Sequence, residues 1–178
     1  MYGIIATWRM ALEGISKADS MLKNNESAAN SIEEAIKAVE NFEYYKSVGY
    51  GGLPNEEMEV ELDAAFMDGD TLEFGCVGGV KDFANPVSIA RSLMHYDANN
   101  FLAGQGAEKY ASRHGFERKT MLTDRAKIHY HNRTKEITNT ELKPYSGHDT
   151  VGMVCLDTAG HMTCATSTSG LFMKHPGR

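Results

Sequence analysis

Ala11, Ile15, Ala18 and Leu22 recur at helical spacing, and a second stripe of Ala28, Ile32, Ala35, Ile36, Val39 and Phe42 follows a helix-start signal at Ser27. Two amphipathic helices are predicted, each with one apolar face laid on a sheet. Ahead of them MYGIIATW reads as a strand entered at once. Further on, LDAAFMDGDTLEFGCVGGV alternates apolar runs about an Asp68-Gly69 turn and predicts a hairpin. Asn85-Pro86 opens a third helix with Val87, Ala90, Leu93 and Met94 on its buried side, and a short fourth helix is expected from about Ala107 to Gly115.

The pattern breaks at Glu117. Twelve of the 33 residues from there to Asp149 are charged, and no period is sustained, so the segment reads as a linker or mobile arm and not as a core element. Beyond it, TVGMVCLD and HMTCATST predict a strand pair turning near Ala159-Gly160. The first is almost wholly apolar, which predicts a strand buried on both faces. It begins at Thr150.

Between the helices and the hairpin, SVGYGGLPN lacks the lysine and the strand-loop-helix frame of a phosphate loop, so a structural loop is expected. The acidic run Glu56, Glu57, Glu59, Glu61 and Asp63 is irregularly spaced and reads as a solvated edge. His129 and His131 lack a third ligand at fixed spacing, and no metal is expected. The three cysteines, an odd number with no C-x-x-C pair, suggest neither a disulfide framework nor a zinc knuckle; Cys155 and Cys164 could pair across the last hairpin, although reduced core cysteines are the commoner case.

With 178 residues and a hydrophobic fraction of 42%, the chain suits one domain with a real core. A net charge of −6 without a basic run argues against nucleic acid, and no apolar stretch is long enough to span a membrane. The N-terminus lacks the basic and apolar regions of a signal peptide. A cytoplasmic location is expected, or a periplasmic, secreted or lysosomal one if a leader has been removed. The sequons at Asn25 and Asn132 matter only in a secreted chain.

Two readings of Thr150 fit the residues alone. It is the first residue of a buried hairpin, or it is a nucleophile still held in a peptide bond. A threonine hydroxyl needs a base, and a free α-amine titrates at about 7.7–8. A cut between Asp149 and Thr150 would place that amine on the same residue as the hydroxyl it must activate. The Asp149 carboxylate could take the hydroxyl proton while Thr150 attacks its own preceding carbonyl.

GHDTVGM, TSTSG and HPGR, together with SVGYGGLPNE, LDAAFMDGDTLEFGCVGGV and NPVSIARSLM, resemble the N-terminal-nucleophile asparaginase family and within it the glycosylasparaginase branch. Gly-His-Asp-Thr is the branch-specific element. The resemblance implies an α+β fold, a four-layer αββα sandwich, here truncated after the nucleophile hairpin. It implies self-cleavage before Thr150 and hydrolysis of the side-chain amide of glycosylated asparagine, without a cofactor or metal. The runner-up activities are those of an isoaspartyl peptidase or L-asparaginase, or none, in a truncated non-catalytic relative.

By the same resemblance, Thr150 is the nucleophile, Asp149 promotes the cut, Thr168 stands beside the nucleophile, Arg178 grips the substrate α-carboxylate and Trp8 lines the pocket. Arg9 and Met10 depart from the family, which has an aromatic residue after the Thr-Trp pair. Residues 1–149 correspond to one subunit, with the arm at about 117–149, and 150–178 to the start of the other, in a homodimer of cleaved chains. Members continue past the position of Arg178 with a Val-Gly-Asp-Ser-Pro run and a later Thr-Gly pair, so the sequence is expected to be a partial copy.

Overall fold

The Ser27 hydroxyl accepts a hydrogen bond from the Asn30 amide at 3.2 Å, and the buried Asp157 carboxylate accepts from the Ala28 amide at 3.0 Å. The second helix thus starts on a local cap and on a long-range one. A computed structural model describes residues 1–96, 99–137 and 150–178. In chain order its elements are β1 (Gly3–Ala6), α1 (Leu12–Lys23), α2 (Ala28–Glu40), β2 (Leu62–Asp68), β3 (Phe74–Val80), α3 (Pro86–Leu93), β4 (Phe101–Ala103), α4 (Gly104–Arg113), α5 (Asp124–Ile137), β5 (Val151–Leu156) and β6 (Met162–Thr168). A 3-10 turn at Arg9–Ala11 leads into α1.

The strands form one sheet in the order β1-β5-β6-β2-β3-β4. All pairs are antiparallel except β3 with β4. Helices α2 and α3 lie across it, and α1 packs beside α2. Ile32, Ile36, Val39, Ala90 and Leu93 from the helices meet Phe66, Val77, Val151, Met153 and Ala165 from the sheet, all buried. The mixed α+β class is as expected.

Close approach governs the contact between α3 and β3. A Cβ built on Gly75 would stand 2.0 Å from the Ala90 carbonyl oxygen and 2.8 Å from the Met94 amide, both backbone atoms. Neither can turn aside. Gly75→Ala is therefore expected to destabilise the protein by about 3 kcal/mol, measured as a lower urea midpoint with an unchanged slope.

Several expectations need correction. Helix α2 stops at Glu40, so Phe42 leaves the buried stripe, is 39% exposed and packs on the Tyr45 ring. The fourth helix begins at Gly104, before the expected Ala107. The segment expected to hold no regular element forms α5 at Asp124–Ile137. Thr123 caps it through the Ala126 amide at 3.2 Å, and the Tyr130 hydroxyl donates to the Glu56 carbonyl at 2.7 Å. His129 and Tyr130 both pack on Phe172. Its partners lie far off in the chain, so local periodicity could not signal it.

Among the described residues, strand β5 is covered on one face only. Val151, Met153 and Cys155 point towards the helices, whereas Val154 is 44% exposed. Among the described residues, α2 covers one face of β5, and Ile5 and Val154 stand exposed on the other beside a shallow apolar hollow of about 600 Å³. All three cysteines are free. Cys155 opposes Thr163 and Cys164 opposes Val154, which puts the two thiols on opposite faces. Burial, with the Asp157 charge, pushes the Cys155 thiol up to about 11.

Candidate active site

Thr150 stands immediately before β5, where the sheet is pinned from both sides. In the β5–β6 register Val151 opposes Ser167, so the next pair outward is Thr150 with Thr168. Thr168 is in turn opposite Asp63 of β2. Side chains alternate along a strand, and Val151, Ser167 and Ala64 all face the helices. Thr150, Thr168 and Asp63 therefore share the other face in one cross-strand row.

Thr168 and Asp63 are held by backbone groups, and Thr150 by a side-chain hydroxyl. The Thr168 hydroxyl donates to the Ser47 carbonyl at 3.3 Å and accepts from the Gly170 amide at 3.0 Å. Asp63 accepts from the Gly79 amide at 2.8 Å, and burial raises its carboxyl above the ordinary range, against that hydrogen bond and the Lys174 charge. On the β1 side the Thr7 hydroxyl donates to the Thr150 carbonyl at 2.9 Å. The Thr166 hydroxyl donates to the Val151 carbonyl at 2.9 Å.

The glycine-rich loop forms a wall behind Thr168. Gly52 packs so closely on Ser169 that an added Cβ would lie 2.6 Å from the serine Cβ, and the Leu53 amide donates to the Ser169 hydroxyl at 3.2 Å. A side chain at Gly52 would push the loop off the end of β6. The structural reading of SVGYGGLPN thus acquires a place beside the site.

Arg178 is exposed, but the turn that carries it is anchored. Both carboxylate oxygens of buried Glu61 accept from the Gly177 amide, at 2.9 and 3.1 Å. Lys174, only 3% exposed, donates to the Glu61 carbonyl at 3.3 Å and lies 3.8 Å from its carboxylate. The expectation that the acidic run is a solvated edge therefore fails at Glu61 and at half-buried Asp63. Their alternation with buried Val60, Leu62 and Ala64 was the available signal.

Trp8 is 55% exposed with φ of 63°, so it is not a core tryptophan. It follows Thr7 on the surface beside the row. Glu40 lies on the helical side of the sheet, fully buried, accepting from the Asn85 side-chain amide and the Val87 amide, each at 3.1 Å. Burial pushes its carboxyl up to about 7, against the hydrogen bonds from Asn85 and Val87. Asp149, expected to promote a cut, falls outside the described residues, as do Gly147 and His148.

A row of hydroxyl and carboxyl groups at the mouth of a sheet fits many hydrolases, and comparison with known proteins narrows the choice. Residues 6–178 match the asparaginase family along nearly the whole chain. The chain belongs to the asparaginase family. Similar members include the N(4)-(beta-N-acetylglucosaminyl)-L-asparaginase of Elizabethkingia miricola, 31% identical over 175 residues, covering 98% of this chain and 51% of that one. The isoaspartyl peptidase/L-asparaginase of Rattus norvegicus is 36% identical over 173 residues, covering 93% and 52%. The N(4)-(beta-N-acetylglucosaminyl)-L-asparaginase of the same species is 29% identical over 182 residues, covering 85% and 53%. The chain spans about half the length of the curated relatives it matches. None of the helices among the described residues is long and apolar enough to cross a membrane.

Proposed function

We propose that the whole protein is an amidohydrolase of the glycosylasparaginase type, with Thr150 as its N-terminal nucleophile after cleavage at Asp149. The observation that carries this reading is the placement of Thr150 at the head of β5, opposite Thr168 and beside the Thr7 hydroxyl. A nucleophile must be held still on a rigid element, and a strand inside a sheet supplies that.

Before the cut, the Asp149 carboxylate takes the Thr150 hydroxyl proton as the oxygen adds to the Asp149 carbonyl carbon. The peptide C–N bond breaks, nitrogen leaves as the Thr150 amine, and water hydrolyses the resulting ester. In each turnover the amine accepts the hydroxyl proton and the oxygen attacks the side-chain amide carbon. N-acetylglucosaminylamine departs with a proton, leaving a β-aspartyl ester that water cleaves. Arg178 pairs with the substrate α-carboxylate through its planar fork, and Trp8 forms part of the pocket rim.

Arg178→Gln is expected to raise KM roughly 10–100-fold, the worth of one charged hydrogen bond, with kcat changed much less. Steady-state kinetics on glycosyl-asparagine checks this. The exposed apolar face around Ile5 and Val154 is expected to pack on a second sheet with its own helices, giving the four-layer αββα arrangement and, after cleavage, a homodimer.

The second reading, an isoaspartyl peptidase or L-asparaginase, is favoured by the 36% identity to the rat protein of that name. Release of N-acetylglucosamine from glycosyl-asparagine is compared with release of ammonia from free asparagine. Faster turnover of free asparagine rejects the glycan assignment, and no turnover of either supports a non-catalytic relative.

A further inference from the structure

Thr7 makes a contact that an ordinary strand residue cannot make. Strand β1 pairs with β5 as far as Ala6 opposite Met153, and the ladder continues one place through the Thr7 amide donating to the Gly152 carbonyl at 2.9 Å. In a regular antiparallel pair the Gly152 amide would then donate to the Thr7 carbonyl. It donates instead to the Thr7 hydroxyl oxygen, at 2.8 Å. The reason is Trp8, whose φ of 63° turns the chain out of the sheet into the 3-10 turn.

The next ladder position would bring a backbone amide from residue 9 to the Thr150 carbonyl. The hydroxyl of Thr7 takes that place too, donating to the Thr150 carbonyl at 2.9 Å. A single hydroxyl thus accepts from Gly152 and donates to Thr150, extending the sheet by one register position after its backbone has left. Only a group that is donor and acceptor at once can do this.

We infer that Thr7 is the positioning residue for Thr150, holding the nucleophile by its carbonyl. This rests on the reading of Thr150 as nucleophile. Hydrogen bonding of that carbonyl holds the plane of the Thr150–Val151 peptide, and with it the point from which Cα presents both the amine and Cβ. Base and nucleophile are oriented by one contact on the side of the residue away from the bond to be cut. Upstream peptide geometry is left free to distort.

The test uses the protein expressed from its complete reading frame. Thr7→Val keeps the shape and removes both hydrogen bonds, Thr7→Ala removes them without an apolar branch, and Thr7→Ser keeps them. All three leave the β1–β5 ladder up to Ala6 and the Thr7 amide bond to Gly152 in place, so similar melting temperatures are expected. Thr7→Val and Thr7→Ala should slow both self-cleavage and kcat at least about tenfold, as expected for a displaced reacting group, with KM nearly unchanged. Thr7→Ser should return both rates to within about threefold of the native values. The Gly152 amide should exchange with solvent faster in the valine and alanine variants, whether or not the protein turns over substrate.

Native rates in Thr7→Val and Thr7→Ala, or equal losses in the serine variant, overturn the assignment while leaving the proposed activity intact. Unchanged Gly152 exchange overturns it as well. A native protein that neither cuts nor hydrolyses brings down the activity, and this role with it.

Discussion

Thr150→Ala is expected to remain a single uncut chain, whereas the native protein is expected to separate into a piece ending at Asp149 and one beginning at Thr150. The effect is all or none because the alanine carries no oxygen to attack the Asp149 carbonyl. Thr150→Ser and Thr150→Cys should still cut, since each keeps a nucleophile on Cβ. Asp149→Ala should slow the cut by about 10²–10⁴, the contribution of a positioned general base. The rate should not depend on protein concentration, because attacking and attacked groups belong to one chain. Intact-mass spectrometry after long incubation at neutral pH decides it. One uncut species in folded native protein would remove Thr150 from the role.

A second large effect is expected from Glu40. Burial raises its folded-state carboxyl to about 7, from an ordinary value near 4.5. The folded protein therefore binds more protons than the unfolded chain between those values, so stability falls as pH rises through that window. Below about 4.5 the group is protonated in both states and imposes no penalty; above about 7 the full cost of a buried carboxylate is present. That cost is about 3 kcal/mol. Glu40→Gln keeps the shape without a titrating proton. Urea unfolding at pH 5 and pH 8 should show the native protein losing about 2.5 kcal/mol more than the variant, since part of the cost is already present at pH 5. Equal losses would mean that the carboxylate is not penalised by burial.

Much of the architecture was legible because it is written in local periods. The stripe of Ile32, Ala35, Ile36 and Val39 became the buried face of α2, and the Asn85-Pro86 signal opened α3 at Pro86. Both depend on neighbours a few residues away. What local pattern missed depends on partners remote in sequence. Helix α5 is held by Phe172 and the Glu56 carbonyl, and Glu61 is buried because Gly177 and Lys174 come to it. The apolar run of β5 reports that both faces are apolar, not what covers them; among the described residues α2 covers one.

Within the candidate site, Thr150, Thr168 and Arg178 were reached through motif resemblance. Thr7 and Asp63 were not, because a threonine or aspartate in a strand carries no signal until its cross-strand neighbour is known. The parity of Asp63 against Leu62 and Ala64 was available, but an acidic run is more often solvated than aligned on a site.

The placement of β1 beside β5 sets an order of events during synthesis. Gly3 pairs with Leu156, so β1 cannot find its partner until residue 156 has been made. At about 5–20 residues per second, that wait lasts roughly 8–30 s. Throughout it β1 lacks its one neighbour among the described strands, and the hydroxyl of Thr7 has no Thr150 to meet. Any chemistry at Thr150 that needs this contact must follow closure of the sheet. The topology acts as a clock for any chemistry that needs this contact, set by the docking of β1 on β5.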